Sequence, residues 1–115
     1  MAFLFSTTYS CKKDSSITCN LSKSDTAPVD MSIVFKAVNT GDGAISTLTY
    51  KVGSTTKTIS NPSLPWSISI DATSGDAISI TATGTTKDGS ITVSYDGIGS
   101  GNEIKGSDDC SHSNN

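Results

Sequence analysis

Apolar and polar residues alternate with a period of two along most of the chain from residue 31 onward. In the first of these runs Ile33, Phe35 and Ala37 share one face, and Ser32 and Lys36 lie on the other. This period is typical of β-strands with one buried and one exposed face, and no segment shows the helical period of 3.6. The alternating runs are residues 31–38, 45–52, 57–60, 66–71, 78–83, 91–95 and 103–105.

Turn-forming sequences separate the alternating runs at intervals of about eight to twelve residues, as in sandwich proteins. Most contain glycine with aspartate or asparagine, and Pro62 and Pro65 interrupt one stretch because proline lacks a backbone donor. Short strands with one apolar face bury that face by packing as two sheets. The sequence therefore predicts an all-β protein, an immunoglobulin-like β-sandwich of six or seven antiparallel strands over residues 30–106.

The composition is polar, because serine and threonine make up about a third of the 115 residues and hydrophobic residues only 34%. Disorder is the alternative for such a chain, but regular alternation argues against it. Threonine suits the exposed face of a pleated sheet, which accounts for its abundance. The chain has eight lysines, eleven acidic residues and no arginine, for a net charge of −3. This balance argues against binding of nucleic acid.

The first eleven residues resemble the end of a bacterial lipoprotein signal peptide. An apolar start leads through small residues to Cys11, and the Lys-Lys-Asp that follows is similar to the export signal of Bacteroidota surface lipoproteins. In such proteins the cysteine is acylated, with palmitate among the acyl chains, and becomes the mature N-terminus. We therefore expect a lipid anchor on Cys11 that holds the domain at the inner or outer membrane, outside the cytoplasm.

The apolar start is short and lacks a basic beginning, so we expect an upstream start codon. The alternative is an ordinary disordered tail with a chance cysteine. Either way, the stretch is too short for a membrane-spanning helix. The polar residues 12–29 predict a flexible tether, and residues 107–115 a C-terminal tail.

Two further cysteines, Cys19 and Cys110, flank the strand-rich region. If Cys11 carries the lipid, the export interpretation places the other two in an oxidising compartment, where disulfides persist. We therefore predict a Cys19–Cys110 disulfide. The alternative is a zinc site formed by these cysteines with His112 and an aspartate, although the usual short ligand spacing is missing.

Three short stretches in the middle of the chain form a family pattern. They are a Tyr-x-Val strand, a Leu-Pro-Trp step and a closing strand that ends in Asp-Gly. The matching positions are Tyr50, Leu64, Pro65, Trp66, Asp96 and Gly97. Over residues 31–105 this order is similar to the soluble domain of the MmpS family, the small mycobacterial membrane proteins.

The resemblance implies a β-sandwich presented outside a membrane. It also implies an accessory role to resistance-nodulation-division exporters of lipids and siderophores. The chain departs from the family at two places. A transmembrane helix is usual where this chain has Cys11, and the family cysteine of the closing strand is replaced near Ile91, although Cys110 matches its C-terminal partner.

The aromatic residues favour a core role. Tyr50 and Tyr95 fall on apolar strand faces, and Trp66 is the largest apolar side chain available to a core. The functional alternative for Trp66 is a stacking platform for a ligand, as in carbohydrate-binding modules.

Residues suited to catalysis or metal binding are sparse. His112 is the only histidine and lies in the predicted tail, which argues against a Ser-His-Asp or Cys-His arrangement. Asp108 and Asp109 are interpreted as a solvated pair. Calcium is left open, because turns of a sandwich can supply oxygen ligands. The candidate calcium ligands are Asp71, Asp76, Asp88, Asp96 and Glu103.

Three hypotheses of function follow. The first is a non-enzymatic, lipid-anchored interaction module that contacts an envelope transporter or another membrane protein, without a cofactor or metal. The second is a cell-surface module that binds a glycan or a lipid. The third is an enzyme, which would have to work through Asp71, Asp76 or Asp96.

Overall fold

The computed structural model describes residues 16–113, which form eight β-strands joined by short turns. The strands are β1 (Ile17–Thr26), β2 (Met31–Gly41), β3 (Ala44–Val52), β4 (Thr55–Ser60), β5 (Trp66–Ala72), β6 (Ala77–Thr86), β7 (Gly89–Gly99) and β8 (Asn102–His112). Within this range no helix is able to cross a membrane.

The strands form two antiparallel sheets of four strands each. One sheet has the order β1-β6-β3-β4 and the other β5-β2-β7-β8. We call them sheet A and sheet B. The all-β prediction with two packed antiparallel sheets is confirmed, with eight strands in place of six or seven. An immunoglobulin constant domain keeps its first two strands side by side in one sheet, whereas β1 and β2 here lie in different sheets.

The core lies between the sheets and is built from the alternating apolar positions that the sequence shows. Ile33, Phe35 and Ala37 of β2 are fully buried, and they face buried residues of sheet A such as Leu48 and Ile80. Aromatic rings bridge the two sheets at one place. The Tyr50 ring of sheet A lies 5.5 Å from Phe35 and 5.7 Å from Trp66, both of sheet B.

The terminal strands correct two predicted boundaries. Residues 17–26 were predicted as part of a flexible tether, but β1 pairs with β6 along its whole length. Residues 107–112 were predicted as tail, but they continue β8, which pairs with β7 as far as His112. Both are edge strands that bury few side chains, so the apolar alternation that marks the central strands is weak in them. Cys11 and the rest of residues 1–15 lie outside the described residues.

The register shows which parts of the chain meet at each end of the sandwich. Ile17, at the start of β1, lies opposite Thr86, and His112, at the end of β8, lies opposite Gly89. Both termini of the domain therefore leave at one end, beside the β2–β3 and β6–β7 turns, and we call this the proximal end. The connections β1–β2, β3–β4, β5–β6 and β7–β8 lie at the opposite, distal end.

Candidate functional site

The terminal strands β1 and β8 meet at one corner of the sandwich, where a disulfide joins the two sheets. The structure links Cys19 of β1 to Cys110 of β8, with 5.9 Å between their Cα atoms, as the sequence predicted. Cys19 is only 1% exposed and belongs to the core. Because both sulfurs are used in this bond, the alternative zinc site loses its thiolate ligands.

A hydrogen bond supports the same corner next to the disulfide. Asp108, two residues before Cys110 on β8, accepts a 3.0 Å hydrogen bond through Oδ2 from the backbone N–H of Ser22 on β1. The interpretation of Asp108 as a solvated tail residue is therefore wrong. Its carboxylate satisfies a donor on the outer edge of sheet A, which would otherwise be open to pairing with another strand.

A tyrosine of β7 completes the corner, and its partner on β8 is Gly106, two residues before Asp108. The Tyr95 hydroxyl donates to Asp25 Oδ2 at 2.8 Å and so connects β7 to β1. Burial, together with this hydrogen bond and the charge of Asp25, raises the pKa of Tyr95 to about 12. The ring covers Gly106, its partner on β8, so closely that a Cβ there would lie 2.7 Å from Oη. A glycine is therefore required opposite Tyr95, as where aromatic rings cover glycines in other sheets.

The residues of the family pattern occupy three different environments. Tyr50 is buried in the core, Leu64 and Trp66 are partly buried against it, and Asp96 lies on the outer face of sheet B. Gly97 faces the core, where a Cβ would come within 2.5 Å of the Ile33 side chain. The structure thus brings Tyr50 and Trp66 together but keeps Asp96 apart from them. Trp66 packs on the core as predicted, yet it also borders the surface.

The surface near Trp66 is a shallow depression of about 320 Å³. Its lining includes Pro65, Ser67, Lys36 and Val38, of which Val38 is 42% exposed. A half-buried indole, an exposed aliphatic residue and a lysine make this a candidate ligand surface.

A second depression, of about 410 Å³, lies on the outer face of sheet B around Asp96. Lys36 and Lys105 line it, and Lys105 Nζ pairs with Glu103 Oε2 at 3.5 Å rather than with Asp96. Asp96 Oδ1 is closed off from solvent and has no hydrogen-bond partner within residues 16–113. Among the family-pattern residues of this range, Asp96 alone has a buried side-chain polar atom without a hydrogen-bond partner.

The acidic residues proposed as calcium ligands are dispersed in the described part of the chain. Asp76 and Glu103 lie towards the distal end, where Asp76 Oδ2 accepts from the Thr73 N–H and Glu103 pairs with Lys105. Asp88 lies at the proximal end. Among residues 16–113 no three histidine, cysteine or acidic side chains are placed to share a metal ion.

The proximal end contains a cluster that sequence reasoning missed. Asp42 Oδ1 accepts hydrogen bonds from Thr86 Oγ1 at 2.9 Å and from the N–H groups of Lys87 and Asp88 at 2.9 and 3.0 Å. These bonds, led by the one from Lys87, lower the pKa of Asp42. His112 Nδ1 donates to the Lys87 carbonyl oxygen at 2.8 Å. In the sequence, the only sign of this cluster is Asp42 between two glycines in a predicted turn. That pattern does not show that Lys87 and Asp88 of the β6–β7 turn bond to the aspartate.

Comparison of the chain with protein-family models, with curated proteins and with solved structures found no match.

Proposed function

We propose that this chain is the extracytoplasmic domain of a lipoprotein, anchored through Cys11, that acts as a non-catalytic interaction module at a membrane. The observation that carries the proposal is the Cys19–Cys110 disulfide. A buried cystine across the terminal strands of a small domain is typical of proteins that fold in oxidising compartments. Export from the cytoplasm is therefore the simplest explanation for its presence.

The placement of the termini supports an anchor at the N-terminus. Ile17 begins β1 at the proximal end, and only residues 12–16 separate β1 from Cys11. Five residues reach at most about 18 Å, since an extended chain spans up to ~3.6 Å per residue. An acylated Cys11 would hold the proximal end close to the bilayer and leave the distal end turned away from it. The resemblance to the MmpS family favours a membrane transporter as the partner.

The anchor is tested by expressing the gene with its upstream codons in the native cells and partitioning the membranes with a phase-separating detergent. We expect the wild-type protein in the detergent phase and the Cys11→Ser variant in the aqueous phase. A Ser10→Ala variant, which keeps the cysteine and a small residue before it, is the matched control and should behave as the wild type. A wild-type protein found in the aqueous phase would contradict the proposal.

A second candidate function is the binding of a glycan at the depression beside Trp66. The specific observation is that this indole is not fully enclosed and borders a surface that also carries Pro65, Val38 and Lys36. Sugar rings stack their C–H faces on such partly exposed aromatic and aliphatic groups, and a neighbouring lysine supplies a hydrogen-bond donor.

This candidate is tested by titrating the domain with cell-surface oligosaccharides while the fluorescence of Trp66, its single tryptophan, is recorded. Binding at the depression should shift the emission, and Val38→Asp should abolish the shift. Ile98→Asp, at an exposed position far from Trp66 on the same sheet, is the matched control. Equal responses in both variants would exclude the depression as the binding surface.

A further inference from the structure

The distal end of the sandwich is braced by hydrogen bonds between turns that are far apart in sequence. The Ala27 N–H donates to the Asp76 carbonyl oxygen at 2.9 Å, and the Gly75 N–H donates to the Ala27 carbonyl oxygen at 2.8 Å. Ser74 adds a backbone N–H bond to Asp30 Oδ1 at 2.8 Å. These bonds fix the β1–β2 connection to the β5–β6 turn, so the distal end presents a surface that is ordered before any partner arrives.

An isoleucine stands out on this ordered surface. Ile98 of β7 is 61% exposed, and in the described range only it and Val38 are exposed large hydrophobic residues. It also lines a depression of about 440 Å³ together with Met31, Ala72 and the backbone of Gly99. Ile98 therefore forms an apolar wall of a recess whose lining also includes the carboxylates of Asp30 and Asp71.

The charges around Ile98 define the partner that fits. The cross-strand row that contains it reads Asp71, Ser32, Ile98, Glu103 from β5 to β8, with a carboxylate at each end. Asp30 lines the same depression on its distal side. Among the described residues no lysine lines this depression, and Lys105 of β8 pairs with Glu103 at 3.5 Å, so Asp30 and Asp71 set the sign of the surface. Complementary charge is what selects a partner and its orientation at such a surface.

We propose that the distal end is a docking surface for a basic protein segment. An apolar side chain of the segment packs on Ile98, and its lysine or arginine residues contact Asp30 and Asp71. The geometry of the surface is independent of the anchor. Its direction in the cell rests on the proposed function, because acylation at Cys11 would turn the distal end away from the membrane and towards a partner protein.

The proposal is tested on the full chain with Cys11→Ser, oxidised so that the disulfide is intact. A library of random peptides displayed on phage is selected against the immobilised protein, and the Kd of the best peptides is measured by titration. We expect the selected peptides to combine basic residues with a large apolar residue. Ile98→Asp should weaken their binding about tenfold or more, as is usual for the central residue of an interface. Asp71→Asn and salt of roughly 0.5 M should each weaken it as well, because screening acts on exposed charges.

Val38→Asp is the matched control, since it makes the same change at the other exposed apolar position of sheet B. It should leave peptide binding unchanged, and thermal melting should show that both variants remain folded. Peptides without basic residues, equal losses in the two variants, self-association through Ile98 or failure to select any peptide would each overturn the proposal. Because the protein in this assay carries no lipid, its result is separate from the fate of the anchor.

Discussion

Removal of the Cys19–Cys110 disulfide is the perturbation whose effect can be worked out most directly from the structure. The bond closes a loop across a sequence separation of 91 residues. In the chain-entropy model, a loop of this length lowers the free energy of the folded state relative to the unfolded state by about 4.5 kcal/mol at 25 °C. Domains of this size have a total stability of roughly 5–15 kcal/mol, so the loss would take a large share of it.

The variant for this experiment is Cys19→Ala with Cys110→Ala, since alanine leaves no unpaired polar group at the buried Cys19 position. We expect urea denaturation to show a loss of about 3–5 kcal/mol. The melting temperature should fall by roughly 12–40 °C, because each kcal/mol corresponds to about 4–8 °C in a small domain. Treatment of the wild type with a reductant should reproduce the effect, and Cys11→Ser should show none. A loss below about 1 kcal/mol in the double variant would refute the loop-closure reasoning.

Three further predictions concern the corner and the proximal end of the sandwich. Gly106→Ala should destabilise the domain by about 1–3 kcal/mol in urea denaturation, because its Cβ would overlap the Tyr95 ring; an unchanged midpoint would show that the ring can move aside. The pKa of Tyr95 is raised from 10.0 to about 12, so its stabilising contribution is complete below pH 10 and is lost as the pH rises towards 12. The absorbance titration of the phenolate, with Tyr95→Phe as the reference, should show this late ionisation. The pKa of Asp42 is lowered from 3.8, so its contribution is present above pH 3.8 and is lost as the pH falls through the lower folded value. Asp42→Asn should therefore reduce the urea midpoint near neutral pH, and the difference from the wild type should shrink below pH 3.8.

The central strands were predictable because their two faces differ strongly. In β2, β6 and β7, most inward positions are isoleucine, valine, phenylalanine, tyrosine or alanine, and the outward positions are mostly serine, threonine or charged residues. Alternation of this kind indicates a β-strand with one buried and one exposed face, and few other structures produce it. The pairing of Cys19 with Cys110 followed from the position of the two residues at the outer limits of the strand-rich region.

The first strand, β1, and most of the last strand, β8, escaped prediction for a physical reason. An edge strand is paired on one side only, and β1 and β8 hold their places through a disulfide, the Asp108–Ser22 hydrogen bond and the glycine under Tyr95. None of these contacts leaves an apolar repeat in the sequence. Strand order depends on contacts between residues far apart in the chain, which a local pattern does not contain.

The candidate surfaces were harder to predict than the core. Trp66 was expected in the core, and its ring does pack on Tyr50, but the sequence did not show that it would be only partly buried. Ile98 lies between the predicted strands 91–95 and 103–105, and its exposure becomes visible only when β7 extends to Gly99. The grouping of Asp30 with Asp71 beside it results from the folding of the β1–β2 connection against β5 and β6.

The central claim is that one cysteine carries a lipid and the other two close an exported domain. Peptide mapping by mass spectrometry, under non-reducing conditions, of the protein isolated from its native membrane tests both parts at once. The account predicts a mature N-terminus at an acylated Cys11 and a linked peptide pair that joins Cys19 to Cys110. An unmodified Cys11 within a longer peptide, or free thiols at Cys19 and Cys110, would contradict it.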